Sequence, residues 1–205
     1  MAERRPPMAQ STSEEALRAV TIGELNVLAG PVLLAEHDPA WPALFAGEAA
    51  RIRSVLGDQV RLVEHVGSTS VPGLAAKPII DIVLGVPDSA DETAHVPPME
   101  AAGYLLRIRE PEWFEHRLFK GPDTQVNVHV FTEGSSEIGR MLAFRDRLRH
   151  HDDERRLYEQ AKRALAARDW KYVQHYADAK SEVVEGIIER ALAAATATQA
   201  AADPT

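Results

Sequence analysis

A turn of small residues between two apolar segments, within the stretch from His65 to Ile82, constrains this chain more than any other feature. The stretch predicts a strand, a glycine- and serine-containing turn, a short helical piece and a second strand that carries one acidic residue, Asp81. Such a turn lets backbone N–H groups approach a phosphate, and a helix N-terminus adds positive potential. An acidic side chain on the next strand can hold a metal ion against that phosphate. The layout is typical of a nucleotide-handling site.

The composition predicts a single globular domain with an extension. The chain has 205 residues, of which 45% are hydrophobic. A net charge of −8 disfavours non-specific binding to nucleic acid but permits a local basic pocket. No segment approaches the ~20 apolar residues of a membrane helix, and the first twenty residues lack a signal-peptide core. We therefore expect a cytoplasmic protein with no membrane partner. Cysteine is absent, which excludes disulfides and thiol chemistry.

The order of predicted elements indicates an α+β fold with a small mixed sheet and a helical C-terminal part. Predicted strands cover 32–34, 60–66, 79–86, 104–109, 113–119 and 125–131. Predicted helices cover 14–20, capped by Ser11 with Glu14; the segment from Asp38-Pro39 to Gly57; part of 90–102, interrupted by Pro97-Pro98; and about 135–150, 153–168 and 176–191. We expect residues 1–30 to be a largely disordered extension, 31–192 the domain and 193–205 a flexible tail.

Two readings of the turn and of Asp81 follow from the residues alone. Gly67 and Gly73 are six apart with no lysine after the second, so this is neither a Walker A loop nor a dinucleotide fingerprint. It is either an ordinary strand-to-helix turn or a phosphate loop. Asp81 lies in an apolar strand, where a carboxylate must be paired, hydrogen-bonded or metal-bound. It either caps the turn around Ser68 or faces a ligand.

Three further polar residues have a structural and a functional interpretation. Arg145 and Lys180 each interrupt the apolar stripe of a predicted helix, and they either form structural ion pairs or face an anionic ligand. His129 lies in a well-alternating strand, where it is either a satisfied core histidine or part of a site.

At these residues the chain resembles the GrpB family, within the nucleotidyltransferase superfamily. The resemblance runs from about Val32 to Arg190. It depends on the motifs D-P-A-W at 38–41, E-H-V-G-S-T-S-V-P-G-L at 64–74, K-P-I-I-D-I at 77–82, V-H-V at 128–130, A-F-R-D-R-L-R at 143–149, Tyr158 with Lys162, and Tyr176 with Ala179-Lys180-Ser181.

The resemblance implies a nucleotidyltransferase-like fold, in which a small mixed β-sheet is flanked by helices, and a small phosphorylated ligand or nucleotide as partner. Asp81 is the implied catalytic and metal-binding residue. The implied ligand-binding residues are Gly67, Ser68, Thr69, Ser70, Lys77, Arg117, His129, Arg145 and Lys180. Where the superfamily has a second carboxylate, this chain has Val83. A Mg²⁺ ion is therefore expected to be weakly bound and single.

Two functions remain open from the sequence. One is a divergent nucleotidyltransferase that moves a nucleotidyl group from a triphosphate to an acceptor. The other is a non-catalytic accessory module that binds a nucleotide or phosphometabolite and has lost the metal-binding carboxylates. Family members also occur fused to dephospho-CoA kinase, which points to nucleotide or CoA metabolism.

Overall fold

The structure is a computed structural model that describes residues 11–28 and 30–202, with side chains described up to residue 197. The helices are α1 Glu14–Val20, α2 Trp41–Leu56, α3 Glu92–Ala101, α4 Ser136–His150, α5 Asp152–Ala166, α6 Val173–Asp178 and α7 Ser181–Ala202. The strands are β1 Leu62–Val66, β2 Ile80–Val86, β3 Leu105–Glu110, β4 His116–Lys120 and β5 Val126–Thr132. Short 3₁₀ turns occupy Gly57–Gln59 and Ser68–Ser70.

The five strands form one mixed sheet in the order β1-β2-β5-β4-β3. Only β2 and β5 run parallel, and the other neighbouring pairs are antiparallel. The parallel register places Asp81 opposite Asn127 and Val83 opposite His129. The expected α+β class with a small mixed sheet flanked by helices is therefore confirmed.

The two faces of the sheet have different surroundings, because successive side chains along each strand point to opposite faces. One face, which includes Ile80, Ile82 and Leu84, packs under α2 and α3 and forms the main hydrophobic core. The other face presents Asp81 and Val83. Part of this second face is covered by α4, whose Ile138 packs on Val83. The rest of the second face stays available for a site.

The C-terminal helices form a second core that holds the segment after the Ser68–Ser70 turn. Val71 and Leu74 of that segment pack with side chains of α4, α5 and α7, namely Phe144, Leu148, Tyr158, Ile187 and Ile188. This packing fixes the exit of the turn, so the turn cannot shift without disturbing three helices.

Several predicted boundaries were wrong. Residues 32–34 form no strand, and only an isolated bridge joins Ala35 to Ala76. Helix α2 begins at Trp41, because Asp38 closes a tight turn by accepting a hydrogen bond from the Ala40 N–H. Helix α3 continues through Pro97-Pro98 although proline lacks the N–H that a helix uses, and Met99, which follows them, is fully buried in the main core.

The two chain ends also differ from expectation where the structure describes them. Helix α1 is present as predicted, but Ser13 rather than Ser11 is its N-cap, accepting from the Ala16 N–H at 3.1 Å. The prediction of disorder for residues 1–10 lies outside the described residues. The predicted helix 176–191 is two helices, α6 and α7, and α7 continues through much of the predicted tail to Ala202.

Candidate functional site

The turn that joins β1 to β2 passes directly beside Asp81. Gly67 has φ +68°, and a Cβ atom at this position would lie 2.6 Å from Asp81 Oδ2. Glycine is thus required both by the backbone conformation and by the close approach of the carboxylate. The Ser70 hydroxyl donates back to the Gly67 carbonyl at 2.6 Å, which closes the turn.

A neutral histidine supports the turn from beneath. His65 Nε2 lies 3.0 Å from Thr69 Oγ1, which donates to the Ile79 carbonyl at 3.0 Å. Burial lowers the pKa of His65 to about 4, so the ring is uncharged at neutral pH. The hydroxyls of Thr69 and Ser70 are therefore used within the turn. Ser68 lines the adjacent cavity, and its hydroxyl has no hydrogen-bond partner among the residues that the structure describes.

Asp81 faces polar groups of β5 across the parallel strand pair. Its Oδ1 accepts from the Asn127 amide at 2.6 Å and lies 3.9 Å from His129 Nε2. Burial raises the pKa of Asp81, but the His129 ring and the Asn127 amide outweigh it and hold that pKa below its ordinary value. Asp81 is therefore ionised at neutral pH. Asp81 and His129 therefore face each other across the parallel strand pair.

A chain of polar side chains continues from His129 toward the sheet edge. His129 Nδ1 lies 3.1 Å from His116 Nε2, and His116 Nδ1 lies 2.8 Å from Glu110 Oε2. Four side chains from β2, β5, β4 and β3 thus form one continuous line across the sheet. Each ring nitrogen in the line is within hydrogen-bond reach of its neighbour except His129 Nε2, which faces Asp81.

These groups lie in a cavity of about 570 Å³ on the second face of the sheet. Four of the five lysines in the chain line it: Lys77, Lys120, Lys162 and Lys180. Arg107 lines it as well, while the carboxylates in the lining are Asp81 and Glu110. A protein of net charge −8 therefore concentrates its lysines at one cavity.

No lysine of this cavity forms an ion pair with any side chain that the structure describes. Lys162 Nζ donates to the Ala75 carbonyl, and Lys120 Nζ donates to the Asn127 side-chain oxygen. Lys180 lies over the Tyr176 ring, 4.5 Å from its centre. These neutral partners satisfy the ammonium groups without cancelling their charge.

Burial and mutual repulsion destabilise the charged form of these lysines. Burial, together with the nearby Lys180, lowers the pKa of Lys162 to about 7. The same two causes, in the same order, lower the pKa of Lys77, and burial lowers that of Lys120. An anion in the cavity would relieve this repulsion.

The cavity also contains a buried hydroxyl that lacks a partner. Tyr176 is only 2% exposed and lines the cavity, and its hydroxyl makes no hydrogen bond to the described part of the chain. Burial raises its pKa, so the group remains a neutral potential donor.

The structure brings most of the expected site residues to this cavity and leaves three outside its lining. Gly67, Ser68, Thr69, Lys77, Asp81, His129 and Lys180 line it. Ser70 closes the turn from behind. Arg145 binds Glu64 at 2.8 Å and Asp146 at 2.7 Å, and Arg117 binds Glu92 at 2.5 Å on the opposite face of the sheet. Arg145 therefore follows its structural interpretation. Arg117, which the resemblance implied as a ligand-binding residue, forms a structural ion pair instead.

Sequence reasoning did not select Lys120, Lys162, His116 or Glu110 as site residues. No local pattern marks them, because each comes from a different element and they meet only through the sheet and helix packing. The sequence did contain one signal for Lys162. This lysine occurs together with Tyr158 in the family motif, and it lies on the buried stripe of α5.

The donor atoms around Asp81 do not fit a two-metal centre. The position two residues after Asp81 is Val83, which is fully buried under α4. No group of three or more histidine or acidic side chains within the described residues has the geometry to hold a metal ion. Lysines occupy the surroundings where that mechanism requires carboxylates.

Comparison with known proteins identifies the family of this chain. The family model described as "GrpB protein" matches residues 31–190. The chain belongs to the GrpB family. This is consistent with membership of the nucleotidyltransferase superfamily. The matched residues contain all five strands and every lysine of the cavity, whereas α1 precedes them.

Two relatives are similar to this chain over nearly their full length. It is 59% identical to a UPF0157 protein of Halalkalibacterium halodurans, over 91% of this chain and 98% of that protein. It is 42% identical to a UPF0157 protein of Streptomyces coelicolor, over 89% of this chain and 98% of that protein. The crystal structure of GrpB from Enterococcus faecalis is similar with a TM-score of 0.70 and 31% identity, covering 78% of this chain and 97% of that one.

A more distant similarity connects the chain to a larger protein. It is 30% identical to a dephospho-CoA kinase of Mycolicibacterium paratuberculosis, over 70% of this chain but only 42% of that protein. Separately, none of the helices in the described residues is both long and apolar enough to span a membrane.

Proposed function

We propose that the lysine-lined cavity binds the phosphates of a nucleotide or another phosphorylated metabolite. The observation that carries this proposal is the position of four of the five lysines around one cavity beside the Gly67–Thr69 turn. Unpaired ammonium groups at such density are costly unless an anion neutralises them. Phosphate is an anion that proteins bind with lysine side chains, backbone N–H groups and serine hydroxyls acting jointly.

Because the pKa values of the cavity lysines are lowered, phosphate binding should be accompanied by the uptake of a proton by the protein. Lys162 has a pKa of about 7 because of burial and the nearby Lys180, so at neutral pH it is charged in only part of the molecules. A bound phosphate favours the charged form and raises that pKa. Affinity for a polyphosphate should therefore weaken as the pH rises from 7 to 9.

We further propose that the protein is a divergent nucleotidyltransferase. The reaction would transfer the nucleotidyl group of a nucleoside triphosphate to an acceptor and release pyrophosphate. Superfamily membership, the Gly67-Ser68 turn with Asp81 on the next strand, and the similarity to dephospho-CoA kinases, whose name denotes a nucleotide-related reaction, support this proposal. In this site the cations beside Asp81 are lysines, which would stabilise charge that develops on the transferred phosphate.

A specific observation favours the alternative of a non-catalytic accessory module. Val83 stands where the superfamily places its second metal-binding carboxylate, and its complete burial leaves no room for a cation there. Such a module would use the turn and the lysines to bind the same class of ligand without turning it over.

Binding should be measured by titration calorimetry with each of the four nucleoside triphosphates, with and without Mg²⁺. Lys77→Met and Lys180→Met should each weaken binding about tenfold, equal to about 1.4 kcal/mol. Arg53→Met is the matched control, since Arg53 is an exposed cation on α2, at the opposite face of the sheet, and should leave affinity unchanged. Equal effects at all three positions, or no binding by the wild type, would contradict the proposal.

Turnover separates the transferase from the module. Pyrophosphate release should be followed with all four triphosphates and Mg²⁺ or Mn²⁺. The transferase predicts release that Asp81→Asn abolishes while triphosphate affinity stays within about tenfold. Absence of release, together with clear binding, favours the module. A single, weakly bound Mg²⁺ at Asp81 stays a prediction, and tight Mg²⁺ binding without nucleotide would contradict it.

A further inference from the structure

The cavity has a lysine-rich end at the Gly67–Thr69 turn and a more apolar end at β3, because the strand order separates the residues that line it. The Gly67–Thr69 turn, Lys77 and Asp81 lie at β1 and β2, at one side of the sheet. At the other side, beyond β4, the lining residue Ile108 belongs to β3. Three strand spacings of about 4.8 Å separate β2 from β3, so the two ends are roughly 14 Å apart.

The apolar end is closed by α1 and the segment that follows it. Leu17 and Val20 of α1, together with Leu25, line the cavity there. Three charged groups border this end: Arg107, which is held by the Glu24 carbonyl, Glu110 of β3, and Lys120 of β4, which pairs with Leu105. A ligand group placed between Leu17, Leu25 and Ile108 would meet mainly apolar surface, with these charged groups at its edge.

The α1 segment is fastened on both sides of the cavity. On the sheet side, Thr21 bridges Ile108, and the Ile22 N–H donates to the Arg107 carbonyl at 2.8 Å. On the helical side, Glu14 accepts from the Tyr172 hydroxyl at 2.6 Å and from Lys171 at 2.7 Å. Attachment at both sides makes the segment a fixed wall of the cavity.

We propose that this wall, residues 14–25, binds the base of a nucleotide whose phosphates occupy the lysine end, and so determines which nucleotides the protein accepts. The inference rests on the proposed phosphate-binding function. A base is flat and largely apolar on its faces, and burying it between Leu17, Leu25 and Ile108 gains free energy that a bare phosphate chain cannot gain. The wall precedes the residues that the family model matches, so it adds selectivity to a shared phosphate site.

The test compares ATP with inorganic tripolyphosphate, which has the phosphate chain but no base. Two variants change the wall in opposite directions. Leu17→Ala removes apolar contact at the apolar end, and Ala16→Trp adds bulk to the cavity lining at an exposed position of α1. Leu44→Ala is the matched control, because Leu44 is 42% exposed on α2, at the opposite face of the sheet.

We expect wild-type protein to bind ATP at least tenfold more tightly than tripolyphosphate. Leu17→Ala and Ala16→Trp should each weaken ATP binding five- to tenfold and leave tripolyphosphate binding within twofold, while Leu44→Ala changes neither. Thermal unfolding of each variant checks that the domain remains folded. Equal losses of affinity for ATP and tripolyphosphate in the wall variants would overturn this inference and leave the proposed phosphate site intact. An ATP affinity that neither wall variant changes would do the same. Failure of the wild type to bind either ligand would overturn the proposed function itself.

Discussion

Lys162 is the group whose replacement should change the pH dependence of stability most. Its side chain is 2% exposed, and its ammonium donates only to the Ala75 carbonyl. Burial, with repulsion from Lys180, lowers its pKa from the usual 10.5 to about 7. Between these two values the unfolded chain binds a proton that the folded protein does not. Stability must therefore rise with pH across this window.

The magnitude follows from the two pKa values. Each pKa unit corresponds to about 1.4 kcal/mol, so keeping Lys162 protonated in the folded state costs roughly 5 kcal/mol at pH 6. At pH 9 the folded protein holds Lys162 neutral, and the cost falls to about 2 kcal/mol. Lys162 should thus contribute an increase of about 3 kcal/mol in the free energy of unfolding from pH 6 to pH 9.

The experiment is urea unfolding of the wild type and Lys162→Met at pH 6, 7, 8 and 9. The variant should lack this increase, so that the difference in unfolding free energy between the two proteins changes by about 3 kcal/mol over the series. Other lysines with lowered pKa values contribute equally to both proteins and cancel. The absolute stability of the variant also includes the loss of the bond to the Ala75 carbonyl, which does not vary with pH.

Lys171→Met is the control, because Lys171 is exposed and paired with Glu14, which raises its pKa. It stays protonated in folded and unfolded chains throughout the series, so its replacement should shift all four values alike. A constant difference between wild type and Lys162→Met from pH 6 to pH 9 would refute the reasoning.

Two further perturbations follow from the geometry. Gly67→Ala should lower the unfolding free energy by about 1–3 kcal/mol more than Gly73→Ala, since both glycines have positive φ but only at Gly67 would a Cβ meet Asp81; equal losses in urea titrations would contradict the close approach. Arg145→Met should lower stability by about 1 kcal/mol, because its partners Glu64 and Asp146 are nearly half exposed. The same variant should leave ATP affinity within twofold by calorimetry, and a tenfold loss would show that Arg145 reaches the ligand.

The sheet could be predicted from the sequence because its signal is local. Alternation in residues 125–131 and the apolar run 79–86 each identify a strand, and the observed strands β5 and β2 differ from them by a residue. The proximity of Asp81 to His129 then follows from the parallel pairing of these strands. Helix α3 was predicted to break at Pro97-Pro98, because local propensity does not include the burial of Met99.

The site was predicted only in part, since its charges come from separate elements. The turn and Asp81 are close in sequence, so their contact is visible from spacing. Lys120 and Lys162 reach the cavity only through the β4–β5 pairing and the docking of α5, which no local pattern encodes. Arg145 interrupts an apolar stripe just as Lys180 does, and only the tertiary structure reveals that Glu64 is its partner.

The attachment of α1 gives the order in which the cavity is completed as the chain is made. The Thr12 N–H donates to Asp178 at 2.8 Å, across 166 residues of sequence. A helix of seven residues does not persist alone in water, so α1 reaches its full set of contacts only when both β3 and residues 171–178 are in place. On the ribosome the segment synthesised early is thus among the last to dock. The cavity of a nascent chain therefore stays open on this side until residues 171–178 emerge.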